Sequence, residues 1–124
     1  MNKRTDCPCS GKNLDRFLQP HILKILSGRD LYGFEIIRLL EKETMFLNNP
    51  PDPTGVYRYL KKMEESGLLS SREQKKGDDR KILRVYTLTE NGKNCLETWA
   101  VVLGQYAVDI MGVVSDIENL TADH

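Results

Sequence analysis

Apolar positions recur at helical spacing in four stretches of the chain, and the pattern changes between the third and the fourth. The first stretch is Leu14, Phe17, Leu18, Ile22, Ile25 and Leu26, with His21 on the same face. Three- and four-residue steps place these side chains on one side of a helix. Pro20 lies inside it, and proline is best tolerated in a first turn, so the main helix is expected to begin near Gln19–Pro20 after a short helical lead-in. Ser27-Gly28 reads as its stop. Phe34, Ile36, Ile37, Leu39 and Leu40 define a second helix, with Asp30 as candidate N-cap and an end near Thr44. Asn48, Asn49, Pro50 and Pro51 make the following segment a loop.

The third helix spans Pro53 to Gly67, with Asp52 as N-cap, Pro53 in the first turn and Gly67 as terminator. Val56, Leu60 and Met63 stand at i, i+4 and i+7 and require burial. Thr54, Tyr57, Arg58, Lys61 and Lys62 fall largely off that stripe. Such a basic, aromatic front suits a recognition helix, and an ordinary solvated helix face has the same form.

Beyond Gly67 the period changes. Residues 68–74 and 82–88 read as two strands, the second rich in branched and aromatic side chains. The glycine-containing, charged stretch 75–81 between them reads as a hairpin tip. Thr89 then caps a long last helix, with Glu90 at its positive end. Leu96, Trp99, Leu103, Tyr106, Ile110, Val113, Ile117 and Leu120 follow at alternating steps of three and four, a heptad seam widened by Val102, Ala107, Met111 and Val114. Gly104 and Gly112 each cost about 1 kcal/mol within a helix; they either allow close helix approach or mark breaks. No repeat or low-complexity segment is present.

The 124 residues suffice for one small domain plus an appended helix. The organisation predicted is an arm over 1–13, a DNA-binding domain over 14–89 and a dimerisation helix over 90–120. Eighteen cations balance eighteen anions, so total charge says nothing about partners. The distribution does. Residues 54–84 carry nine cations against five anions, a net +4, whereas residues 97–124 carry five acids and no Lys or Arg. A basic middle and an acidic tail suit different partners. No uninterrupted run of 18 apolar residues occurs and the basic N-terminus lacks an apolar continuation, so neither a spanning helix nor a signal peptide is expected, and no membrane partner. Three cysteines offer no disulfide framework, which fits a reducing cytoplasm.

Three helices, a two-stranded wing and a long helix give the order of a winged helix-turn-helix, mainly α with a small β-hairpin. In that architecture the third helix enters the major groove of double-stranded DNA. The candidate contacts are Thr54, Gly55, Tyr57, Arg58, Lys61 and Lys62 on the helix, and Lys75, Lys76, Arg80 and Lys81 on the wing. The last helix is too apolar to stand alone in water, so a homodimer through Leu96, Trp99, Leu103, Tyr106, Ile110, Val113 and Ile117 is expected.

Specific residues also carry a family resemblance. Leu31-Tyr32-Gly33-Phe34-Glu35-Ile36-Ile37 looks like the L-H-G-Y-E-I signature of PadR-like transcriptional regulators. Thr54-Gly55-Val56-Tyr57-Arg58-Tyr59-Leu60-Lys61-Lys62-Met63-Glu64-Glu65-Ser66-Gly67-Leu68 is similar to that family's G-T-L-Y-R-x-L-x-x-L-E-x-x-G-L. Arg84-Val85-Tyr86-Thr87-Leu88-Thr89-Glu90-Asn91-Gly92 is similar to its R-x-Y-x-L-T-x-x-G. The resemblance implies a winged-helix domain with a C-terminal dimerisation helix, usually a repressor released by a small effector. It further implies Tyr57 on the DNA backbone, with Arg58 and Lys61 facing the groove. Tyr32 and Phe34 depart from the family's histidine and tyrosine, and the Cys7-Pro8-Cys9 arm lies outside its pattern.

Other readings concern particular residues. Trp99 is a candidate for stacking on an aromatic effector, or simply part of a dimer core. Cys7 and Cys9, with Cys95 elsewhere, could hold a soft metal or sense oxidation, but only His21 offers an obvious fourth ligand for a closed zinc site. The default for the arm is therefore neither metal nor redox chemistry, and no cofactor is implied. A winged-helix module that binds protein through the same third helix is an alternative function. With two histidines, no nucleophile–base pairing and no phosphate loop, an enzyme is not expected.

Overall fold

A computed structural model of the protein describes residues 16–77 and 81–122. Helix α1 (Leu18–Ile25) follows a short 3-10 lead-in and buries Leu18, Ile22, Leu23 and Ile25. Pro20 falls in its first turn, where its missing N–H breaks no helical hydrogen bond.

Asp30 does not cap the second helix. A two-residue strand, β1 (Leu31–Tyr32), intervenes, and α2 (Gly33–Glu41) starts after it with Tyr32 as N-cap residue. Glu35 reaches back to accept the Tyr32 backbone N–H at 2.9 Å. Asp30 instead pairs with Arg72 at 3.3 Å, across 42 positions of sequence. Helix α2 also ends sooner than Thr44, and a 3-10 turn at Thr44–Phe46 buries the Phe46 ring.

Helix α3 (Pro53–Glu65) matches its sequence signals. The Asp52 carboxylate accepts the Gly55 N–H at 3.1 Å, and Val56, Leu60 and Met63 are buried. Its end is a Schellman turn: Gly67 takes φ +80°, its N–H returns to Glu64 O, and the Leu68 N–H returns to Met63 O.

Strands β2 (Leu69–Lys76) and β3 (Lys81–Leu88) form the hairpin, in register from Leu69 opposite Leu88 to Lys76 opposite Lys81. The other edge of β3 pairs with β1, so the hairpin belongs to a three-stranded antiparallel sheet of order β1-β3-β2.

Helix α4 (Glu90–Thr121) is continuous through Gly104 and Gly112. Its start is tied to the end of α3 by one hydroxyl. Thr89 Oγ1 accepts the Gly92 N–H at 3.0 Å and donates to Gly67 O at 2.6 Å. Gly92 packs directly on the Leu68 carbonyl. Cys95, Leu96 and Trp99 lie against the core, and beyond Leu103 the seam residues Tyr106, Ile110, Val113, Ile117 and Leu120 are exposed in the single chain. The broken apolar run is not the whole story for this helix: an 18-residue window of it reaches a mean hydropathy of 1.4, long and apolar enough to cross a membrane by length and composition alone. Its regular three-four seam is the pattern of a helix that meets another helix.

Candidate nucleic-acid interface

The front of α3 is built by burying its back. With Val56 and Leu60 wholly inaccessible, Thr54, Tyr57, Arg58, Lys61 and Lys62 are all turned to solvent, and Gly55 is half-buried beside Asp52. No ion pair among the described residues engages Arg58, Lys61, Lys62, Lys75 or Lys81. Two further cations of this segment are exposed but already paired: Arg72 with Asp30 and Arg84 with Glu73, each at 3.3 Å. The sequence count of cations does not distinguish these paired arginines from the front of α3, unpaired among the described residues.

Tyr57 is held against the first residue of α2. A Cβ on Gly33 would lie 2.5 Å from Tyr57 Cε1, so only glycine lets the ring lie there. Tyr57, Tyr32, Phe34, Ile82 and Arg84 share one cleft of ≈ 130 Å³ with Gly33, which brings α2, α3 and the wing to a common face. The Tyr32 and Phe34 rings are stacked at 5.7 Å between centroids, and the Arg38 guanidinium lies 5.8 Å from the Phe34 ring. Burial pushes the Tyr86 hydroxyl above its ordinary pKa, with the neighbouring Arg84 charge opposing and Glu64 and Tyr57 adding to the rise. Sequence reasoning left Gly33 inside a family signature without a role; nothing local announces a contact across 24 positions. Gly33→Ala is expected to displace the Tyr57 ring and weaken duplex binding about 10-fold while the melting temperature changes little, because Tyr57 is 44% exposed and free to swing out. Titration of both proteins with one duplex checks this, and unchanged affinity would show that the ring's position is immaterial.

On the wing, Lys75 and Lys81 are exposed near the tip, with Ile82 exposed opposite Lys75. Lys76 lies on β2 opposite Lys81. Arg80, Cys7 and Cys9 lie outside the described residues, as does the arm 1–13. Cys95 is half-buried, and its Sγ lies 3.7 Å from Gln19 Oε1. His21 is occupied structurally: its Nδ1 is 2.7 Å from Phe17 O and its ring packs on Phe46. Among the described residues no three His, Cys, Asp or Glu side chains cluster as metal ligands.

Where α4 leaves the core, the Trp99 indole N–H donates to Gln19 Oε1 at 2.8 Å. Arg16, Phe17, Trp99 and Tyr106 line a cavity of ≈ 400 Å³ there. Tyr59, on the α3 side of Gln19, has its pKa raised by burial, with the Gln19 side chain opposing and Cys95 adding.

The family model of the transcriptional regulator PadR-like family matches residues 22–98. The chain belongs to the PadR-like family. Its fold is likewise that of solved PadR-like structures. Bacillus subtilis PadR, solved in complex with operator DNA, is 29% identical with a TM-score of 0.61, over 69% of this chain and 48% of that one. This PadR-like chain therefore aligns with about half the length of that relative. A PadR family transcription regulator from Clostridium difficile (24% identity, TM-score 0.65, 77% of this chain and 95% of that one) shares the fold. So does a transcriptional regulator from Clostridium thermocellum (22% identity, TM-score 0.68, 78% and 92%). Curated protein sequences yield no match.

Proposed function

We propose that this PadR-like protein is a dimeric, sequence-selective DNA-binding regulator. The observation that carries the reading is the exposed set Thr54, Tyr57, Arg58, Lys61 and Lys62 on a helix with a buried back, beside a wing bearing exposed Lys75 and Lys81. Helix α3 enters the major groove, with Gly55 giving its backbone close approach, Arg58 and Lys61 toward base edges and Tyr57 on the backbone. The wing cations Lys75, Lys76, Arg80 and Lys81 meet phosphates, which position the protein without reading sequence. The Bacillus subtilis relative, solved in complex with operator DNA, supports DNA as the partner. The apolar seam exposed along α4 is covered by the same seam of a second copy, giving a two-fold protein for a two-fold site.

The test is selection of duplexes from a random pool by the purified protein. A selected duplex should bind Tyr57→Ala/Arg58→Ala about 100-fold more weakly, with melting little changed, since both residues lie on the exposed front. Recovery of no preferred sequence would overturn the reading. The protein acts as a repressor released by an aromatic effector stacked on Trp99, a reading supported by the cavity of Phe17, Trp99 and Tyr106. A reporter carrying the selected site should be repressed, and Trp99→Leu, which keeps apolar packing but removes the aromatic face, should keep repression but lose release. A reporter that rises with the protein would make it an activator.

A further inference from the structure

One hydroxyl joins the last turn of α3 to both strands of the wing. Ser71, on β2, donates to the Glu64 carboxylate with Oγ 2.8 Å from each of its oxygens. The same Oγ accepts from Arg84 Nη1 at 2.9 Å, and Arg84 Nη2 lies 3.3 Å from Glu73 Oε1. Glu64 belongs to α3, Ser71 and Glu73 to β2, and Arg84 to β3. Helix and wing are also joined through the short turn Ser66–Leu68, whose Gly67 is in the left-handed region, and at their base they share the core of Leu60, Met63, Leu69, Tyr86 and Leu88.

We infer that Ser71 is a positioning residue for DNA binding: by bridging Glu64 and Arg84 it fixes the angle of the wing to α3, and so where Lys75 and Lys81 meet a duplex. The inference rests on the DNA-binding reading above. Two-stranded ribbons twist more readily than wider sheets, and beyond the two positions where β3 also pairs with β1, this hairpin is two-stranded from Glu73 opposite Arg84 to Lys76 opposite Lys81. Those three steps make a lever of about 10 Å. A tilt of about 10° at its base moves the tip about 2 Å, enough to break a hydrogen bond to a phosphate. The bridge also explains the charges at this end of α3. Glu64 is drawn sideways toward the wing, and Arg84 is held by two acidic neighbours, one of them through the serine. Arg84 thereby serves the frame and leaves phosphate contact to the lysines.

The experiment measures the salt dependence of binding to the selected duplex for the full chain and four variants: Ser71→Ala, Ser71→Thr, Lys75→Ala and Ser71→Ala/Lys75→Ala. Each phosphate contact contributes about 0.9 to the slope of log K against log salt. Lys75→Ala should lower the slope by about 1, and Ser71→Ala by about 2 to 4, because Lys75 loses register together with the other wing cations. The double variant should match Ser71→Ala alone, and Ser71→Thr, which keeps the hydroxyl, should bind as wild type. A role confined to stability would leave the slope of the folded Ser71→Ala protein unchanged. An unchanged slope, or additive losses in the double variant, would overturn the inference while the DNA-binding reading stands. A wild-type protein with no preferred duplex would instead overturn that reading, and this inference with it.

Discussion

Ile110→Asp is expected to convert the protein to a monomer at micromolar concentration and to weaken binding to a two-fold duplex at least about 100-fold. Ile110 lies in the middle of the α4 seam and is 53% exposed in the single chain. In the proposed dimer each copy is buried against the partner's seam. An aspartate there places an unpaired charge in an apolar seam twice over, a burial that proteins do not tolerate without a partner. The loss of affinity follows from geometry, because two half-sites about 34 Å apart are engaged together only if the two α3 helices are joined. Val101→Asp is the control. Val101 is 75% exposed but lies on the opposite side of α4 from the seam, so dimer and affinity should both survive. Sedimentation equilibrium and duplex titration read the two quantities. An Ile110→Asp protein that stays dimeric would remove α4 from the interface.

Gly92→Ala should destabilise the fold by about 2 kcal/mol and lower the melting temperature by roughly 6–12 °C. A Cβ at this position would collide with the Leu68 carbonyl oxygen and come within 2.6 Å of Leu88 Cδ1. The backbone carbonyl cannot move aside, because it accepts the Thr89 N–H at 3.1 Å. The same substitution further along the same helix should have the opposite sign. Nothing lies within 4 Å of a Cβ built on Gly104, and alanine is favoured over glycine in a helix interior by about 1 kcal/mol. Thermal melts followed by circular dichroism distinguish the two. A Gly92→Ala protein as stable as wild type would mean that α4 does not dock as closely as described.

Much of the scaffold was legible because its signals are local. Asp52, Pro53 and Gly67 punctuate α3, and Val56, Leu60 and Met63 orient it. Both wing strands fall within two residues of their expected ends, since a branched, aromatic run and a glycine-containing charged tip define a hairpin without outside help. What escaped depends on partners far away in sequence. Leu31 and Tyr32 are too short a segment to show a period; they are a strand because β3 offers them a free edge. Asp30 has the chemistry of a cap but is taken up by Arg72. Gly104 and Gly112 left the continuity of the last helix open, and it is continuous because no competing contact or proline interrupts it. Within the candidate interface the basic front of α3 was readable from spacing. The pairing of Arg72 and Arg84 with acidic neighbours was not, because charge counting cannot see which cations already have partners.

Trp99 is the single tryptophan of the chain. Its indole is hydrogen-bonded to α1 through Gln19 and borders the cavity at the root of α4. All indole fluorescence of the protein therefore originates at one place, the joint between the seam-bearing helix and the rest of the domain. The chain carries its own spectroscopic gauge at that joint, with no label to attach and no second indole to subtract.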